Sequence, residues 1–399
     1  MSAVHCGAAK AVYNHSMDPG TAPCRAPAAC AAAGADLVTG WGLARMQKEI
    51  ELKFGVVREI TDFKERCALV GSTGPFSIDT LTNTYFDTRD LDMLGLHCGL
   101  RIRHGRDFSE QTIKFKGSNL GGMHIREEYN LPIERRRKKP DLTAFDPRIF
   151  PRDFNIRKVN EKLEKQCEIT FERQFLDVEF EGCVLEFSYD RGQIKANSQT
   201  MPIHEFEVEL KEAAADVDIN HMFYKLSLAL TRARFPLSLE PFSKMHKASL
   251  LLNRRDSLNL PMRKYDLINI NDSILDCVAH YETLFGLLMH RRDLFTLGYA
   301  NTALRVIVRY LRLYREFAHA SKYDTSANIE EIRMILGETL KSVRRFYKFC
   351  RRLEKAVYRM PFEDTMQELE QVVAKIRLQI SKSDLYNLTL KLRYVLSLN

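Results

Sequence analysis

From Lys48 to about Leu210 the chain offers short runs in which apolar and polar residues alternate. Residues two apart on a β-strand share a face, so each run predicts a strand with one apolar and one polar side. The runs cover residues 49–54, 81–87, 100–104, 111–116, 124–132, 169–178, 183–189, 194–196 and 204–210. Asp190-Arg191-Gly192 reads as the hairpin turn between two of them, and residues 88–94 as a turn or short helix. Residues 222–230 carry helical spacing, with Leu226 and Leu230 facing a core against the sheet. Past residue 252 strand patterns give way to helical ones over 273–297, 300–320, 329–358, 362–381 and 384–398. The expected class is α+β: an antiparallel β-barrel followed by an all-α helical bundle.

The polar faces of the strands are unusual. In Glu49-Ile50-Glu51-Leu52-Lys53-Phe54 they are two carboxylates and an ammonium; Ile50, Leu52 and Phe54 take the other side. Arg101 and Arg103 share a face, as do Lys114 and Lys116, and Arg126 and Glu128. Arg173 stands between Phe171 and Phe175, and Glu205, Glu207 and Glu209 line one side of a late strand. A single strand of this kind is an ordinary wet face. Six or more in succession predict a barrel with its charges turned inward: a tunnel with a basic wall for a polyanion and an acidic wall for a hard divalent cation.

Composition narrows the surroundings. The 399 residues carry a formal charge of +8, which favours anionic partners without choosing among them. No apolar run is long enough to span a bilayer, so no membrane partner is expected. Nine cysteines without a CxxC pair read as reduced thiols in a cytoplasmic protein, not a disulfide framework or zinc site. Residues 1–45 are rich in Ala, Gly and Pro and read as a disordered leader, with Met46 as an alternative start. The domains expected after it are a tunnel domain over 46–252, a linker over 253–264 and a helical bundle over 265–399. His97, His104 and His124 lack metal-ligand spacing and read as surface or structural groups. The run Arg135-Arg136-Arg137-Lys138-Lys139 reads as a solvated loop.

The ordered stations of the first half carry a resemblance. Glu49-Ile50-Glu51-Leu52-Lys53 matches the ExExK hallmark of the CYTH, or triphosphate tunnel metalloenzyme, family. Tyr85-Phe86-Asp87-Thr88, Leu100-Arg101-Ile102-Arg103, Lys114-Phe115-Lys116 and Arg126-Glu127-Glu128 follow in the family's order. So do Arg173, Asp190, Glu207-Val208-Glu209 and Ser243-Lys244. The resemblance implies that Lys53, Arg101, Arg103, Lys114, Arg126, Arg173 and Lys244 clamp triphosphate oxygens, with Lys116 as a further clamp. It implies that Glu49, Glu51, Glu207 and Glu209 hold Mg²⁺ or Mn²⁺, and that Asp190 joins the metal or organises a lysine. Glu49, Glu51 and Lys53 form its catalytic set. The implied activity is inorganic triphosphatase, a hydrolase releasing phosphate from tripolyphosphate. Adenylyl cyclase or thiamine triphosphatase of the same fold, and non-catalytic polyphosphate binding, are the alternatives. No specific nucleic-acid partner is expected.

The helical half is similar to a CHAD domain at Leu304-Arg305-Val306 and Arg309-Tyr310-Leu311-Arg312. It departs from that pattern at Thr302, where the family carries a histidine, and at Tyr310. Arg305, Arg309 and Arg312 form one basic stripe; Lys341, Arg345, Lys348 and Arg352 form another. Two such stripes suit either a groove for polyphosphate or another anionic chain, or a solvated bundle surface.

Overall fold

The computed structural model describes residues 45–120, 123–252, 270–320 and 327–398. The expected leader up to residue 44 and the expected linker lie outside them.

The first half holds β1 (Arg45–Val56), α1 (Phe63–Ala68), β2 (Ser72–Thr73), β3 (Ser77–Asp87), α2 (Asp92–Gly95) and β4 (Cys98–His104). It continues through β5 (Ser109–Phe115), β6 (Ser118–Leu120), β7 (Met123–Pro132), α3 (Ile156–Lys162), β8 (Glu164–Phe180) and β9 (Cys183–Ala196). After these come β10 (Gln199–Ala213), α4 (Ile219–Arg232), β11 (Leu237–Leu239) and α5 (Lys244–Leu251). The helical half comprises α6 (Ile270–Arg291), α7 (Leu294–Ala320), α8 (Ala327–Val357), α9 (Phe362–Lys382) and α10 (Leu388–Ser397).

Eight strands run antiparallel in the order β1-β10-β9-β8-β3-β4-β5-β7, and β7 pairs back onto β1. The sheet is thus a closed barrel, and closure leaves none of these eight as an open edge. β1 is the joint: its first part pairs with β7, its later part with β10, and its last residues with β11.

Of the buried apolar clusters, two frame the barrel interior from outside and inside. Leu52 and Phe54 of β1 point outward and pack with Phe187, Phe206 and Val208 beneath α4. That core runs on without interruption into the helical half, where Phe54 meets Tyr386 edge-to-face at 5.6 Å. A separate cluster fills one end of the barrel from inside. Leu81, Tyr85, Ile169, Phe171, Ile194 and Ile203 pack there against Ala248 and Met245 of α5. α5 therefore stoppers the barrel at that end.

Two elements differ from the sequence reading. No turn occurs at Asp190-Arg191-Gly192; β9 runs straight through it. A Cβ on Gly192 would lie 2.1 Å from the Thr170 carbonyl oxygen and 2.5 Å from the Phe171 Cα. The glycine permits close strand approach, not chain reversal. The helix expected over 273–297 is broken, because Arg292 adopts a left-handed φ of 53° and Asp293 caps α7 by accepting from the Thr296 amide at 2.8 Å.

Candidate active site

Strand register places the charged residues. Glu51 lies opposite Glu209 and Lys53 opposite Glu207 across β1 and β10. Glu205 faces Asp190 across β10 and β9, and Asp190 faces Arg173 across β9 and β8. Tyr85 faces Arg101, Lys114 faces Glu128, and Glu49 faces Arg126. Paired residues project to the same side of a sheet, so these groups all enter the barrel.

The layer next to α5 is a dense ion-pair network. Asp190, Glu205 and Glu207 bring carboxylate oxygens within 4.8 Å of one another. The Lys244 ammonium bridges all three, at 2.8, 2.7 and 2.7 Å. α5 delivers this lysine at its first turn, capped by the Ser243 hydroxyl, which accepts from the His246 amide at 3.1 Å. Arg173 donates twice to Asp190 at 2.7 Å and once to Glu207 at 2.6 Å. Lys53 donates to Glu205 at 3.2 Å and contacts Glu207. Burial opposes the charge on Lys53, but Glu205, Glu207 and Glu51 outweigh it and hold the ammonium well above its usual range. Burial also opposes ionisation of Glu205, yet Lys244, Lys247 and Lys53 pull its carboxyl down to about 2. Glu207 is likewise held well below the carboxylate range by Lys244, Lys53 and Arg173. Lys53, Glu205 and Glu207 are therefore charged at neutral pH.

Away from α5 the ion pairs continue across the other strands. Arg126 donates to Glu51 at 2.6 Å, and Lys114 spans Glu49 at 2.9 Å and Glu128 at 2.7 Å. Arg101 reaches Glu128 at 3.4 Å, while Arg103 donates to the Asn83 side-chain oxygen at 3.0 Å. Side-chain exposure climbs from 0% at Glu205 and Asp190 to 28% at Glu209 and 36% at Lys211. The cavity opens at this side. Burial raises the Glu209 carboxyl above its usual range, with Lys211 opposing and the like charge of Glu186 adding to the rise. Glu209 and its opposite neighbour Glu51 each keep one cation partner, Lys211 at 3.0 Å and Arg126 at 2.6 Å, and two carboxylates side by side suit a hard divalent cation. Asp190, by contrast, is already engaged by Lys244 and Arg173.

The barrel gathers twelve of the thirteen residues singled out from the sequence. Lys116 is the exception: β5 ends at Phe115, and Lys116 is exposed, lining a surface hollow with Lys48, Arg126, Tyr129 and Arg148. Other residues belong to the interior too, Tyr85 and Glu128 among them. Glu205 was marked by alternation with Glu207 and Glu209. Lys247 lies one helical turn past Lys244, a spacing that only a helix assignment for α5 makes visible. His124 is not a surface group: it stands opposite Glu51, and burial aided by Arg126 pushes its pKa down to about 3. His97 and the run 135–139 are exposed.

In the helical half Arg305, Arg309 and Arg312 of α7 face Arg344 and Lys348 of α8 across a cavity of about 710 Å³, with Tyr347, Val306 and Val308 in its walls. Lys341, Arg345 and Arg352 are exposed on α8 outside that lining. Among the described residues no helix is long and apolar enough to cross a membrane.

The model of the CYTH domain family matches residues 47–227. The curated inorganic triphosphatase of Haemophilus influenzae is 31% identical over 170 residues, which is 42% of this chain. The match covers 46% of that relative, so the chain spans about half its length. Among solved structures, a putative adenylyl cyclase from Hippeastrum, described as having a dominant triphosphatase activity, is 15% identical. It covers 51% of this chain and 96% of its own, with a TM-score of 0.35. A putative adenylate cyclase from Bacillus halodurans is 18% identical, covers 51% of this chain and 97% of its own, and has a TM-score of 0.32. With the closed barrel, its inward charges and the family match in agreement, the chain carries a CYTH domain over residues 47–227.

Proposed function

We propose that the protein is a metal-dependent inorganic triphosphatase, hydrolysing tripolyphosphate to pyrophosphate and phosphate inside the barrel. The carrying observation is that seven of the eight strands, and α5, aim lysines, arginines and carboxylates into the interior of one barrel. Buried ion pairs are a poor source of stability compared with apolar packing, so anion binding accounts for them better than folding does. The Haemophilus influenzae relative, by its name an inorganic triphosphatase, supports the same reading.

Lys53, Arg101, Arg103, Lys114, Arg126, Arg173 and Lys244 bind the phosphate oxygens, exchanging part of their hold on the carboxylates for charge-assisted bonds to substrate. Glu49, Glu51, Glu207 and Glu209 would hold Mg²⁺ or Mn²⁺, while Asp190 seats Lys244 behind them. The metal, when bound, neutralises phosphate charge and lowers the pKa of water. Glu51 takes the proton of a water attacking the terminal phosphorus in line. The bond from phosphorus to the bridging oxygen breaks, and the guanidinium and ammonium groups stabilise the departing pyrophosphate. No covalent intermediate on the protein is required.

A panel of tripolyphosphate, ATP, thiamine triphosphate and long polyphosphate tests this reading, with Mg²⁺, Mn²⁺ or chelator and with phosphate, pyrophosphate and cAMP measured together. Equal yields of phosphate and pyrophosphate from tripolyphosphate, lost on chelation, are expected. Formation of cAMP from ATP with tripolyphosphate left intact would overturn it.

The five-cation cavity in the helical half suits an anionic chain, and on the CHAD-like reading its ligand is polyphosphate. Arg305→Ser with Arg309→Ser and Arg344→Ser should release polyphosphate that the full-length protein retains at low salt; equal retention removes that assignment. The six described cysteines are buried thiols, which fits the cytoplasmic location we assign.

A further inference from the structure

Lys247 is 2% exposed and carries no direct line to the open side of the cavity. Its ammonium lies between two carboxylates: Glu205, the innermost acid of the barrel, and Glu240 Oε2 at 3.2 Å. Glu205 also holds Lys53 and Lys244, two of the phosphate-binding cations. Glu240 sits after β11, outside the barrel interior, and faces the helical half. His290 of α6 approaches its Oε1 at 3.8 Å, and the half-buried Arg377 of α9 lies beside it: a Cβ built on Gly55 would meet Arg377 Nη2 at 3.6 Å and Glu240 Cβ at 3.7 Å. Arg377 in turn donates to the Val56 carbonyl oxygen at 3.2 Å, three residues beyond Lys53 on β1. Two helices of the helical half thus meet the barrel where a single carboxylate and a single lysine lead to the site.

Alternating charges in a row compete for one another. Whatever draws Lys247 towards Glu240 draws it away from Glu205, and Glu205 then claims more of Lys53 and Lys244. Whatever releases Lys247 from Glu240 neutralises Glu205 and frees those two cations for phosphate. We propose that Glu240 and Lys247 are positioning residues for Lys53 and Lys244, and that through them the helical half sets how tightly the barrel binds its triphosphate. This rests on the triphosphatase reading.

The arrangement makes opposite predictions for neighbouring residues. In the full-length protein, Lys247→Met should raise KM for tripolyphosphate about tenfold while kcat stays within about twofold. Lys247→Arg should recover most of that loss. Glu240→Gln should lower KM about two- to threefold, because Lys247 then serves Glu205 alone. Arg377→Gln, which leaves Glu240 pulling harder on Lys247, should raise it. The tripolyphosphate-induced rise in Tm of each variant, measured without added metal, should follow the same order. A purely structural role would move Lys247→Met and Glu240→Gln in the same direction, or move neither, and either result overturns the inference. If Lys247→Met does not fold, Glu240→Gln decides alone: an unchanged or increased KM is fatal. Wild-type protein inactive on tripolyphosphate would instead count against the functional reading, and the Tm series would still test the relay.

Discussion

At the scale of single residues, the ExExK strand stands where removal is informative. In Lys53→Ala the acids Glu205 and Glu207 keep Lys244, and Arg173 still holds Glu207. The fold should survive with an unchanged circular dichroism spectrum while hydrolysis falls about a hundredfold or more. Glu51→Gln keeps the shape and one acceptor for Arg126 but loses the proton acceptor, and should behave alike. Full activity in both variants would refute the site. Gly192 carries a different burden. Gly192→Ala forces a methyl group against the Thr170 carbonyl and should destabilise by about 2–4 kcal/mol, read as a shift in the urea midpoint. Much at this scale was legible. Alternation alone turned Glu49, Glu51 and Lys53 away from Leu52 and Phe54 and put Glu207 beside Glu209. What was hidden is reach across the barrel. Nothing local to His124 reveals that it faces Glu51, because strand register is a property of two segments, and Lys116 left its face because the strand ended one residue sooner than the pattern.

Elements follow the same division. Strand runs and long helices announce themselves by period, whereas β9 does not, since Asp-Arg-Gly is chemically a turn and only its neighbours forbid one. α5 was also hidden. Its two lysines point into a charged interior, so its polar side is buried, contrary to the usual amphipathic signature. The pair of α6 and α10 supplies a test of another kind. Glu282 of α6 is buried, and one carboxyl oxygen accepts from the Thr389 hydroxyl at 2.7 Å while the other has no partner. Burial raises its pKa from 4.5 to about 8. A carboxyl raised on folding favours the folded state fully below its unfolded pKa, and the contribution drains away as pH rises through the folded value. The wild-type stability should therefore decline between about pH 4.5 and 8 relative to Glu282→Gln, which keeps the bond to Thr389 and has no proton to lose. Urea titrations of both proteins at pH 5 and pH 8 would show it; parallel behaviour of the two would contradict the assignment.

Across the whole molecule, the division at residue 252 visible in the sequence is a change of pattern, not of core. Outward residues of β1, β9 and β10 share one apolar mass with α6 to α10. A chain cut at 252 would expose that surface to water. It should be poorly soluble or bind hydrophobic dyes, although it contains the entire ion-pair network; a monomeric, well-folded fragment would show the two halves to be energetically independent.

The stopper that α5 and its apolar partners set into the barrel has a kinetic corollary. On the proposed triphosphatase reading, with one end filled by this cluster, substrate would enter and both products would leave at the other end, so fragments would file out in sequence. Whichever lies deeper waits for the shallower one, and the last to go contests the vacated space with the next arrival. On that reading turnover would be governed by traffic as much as by chemistry, and the products should act as competitive inhibitors.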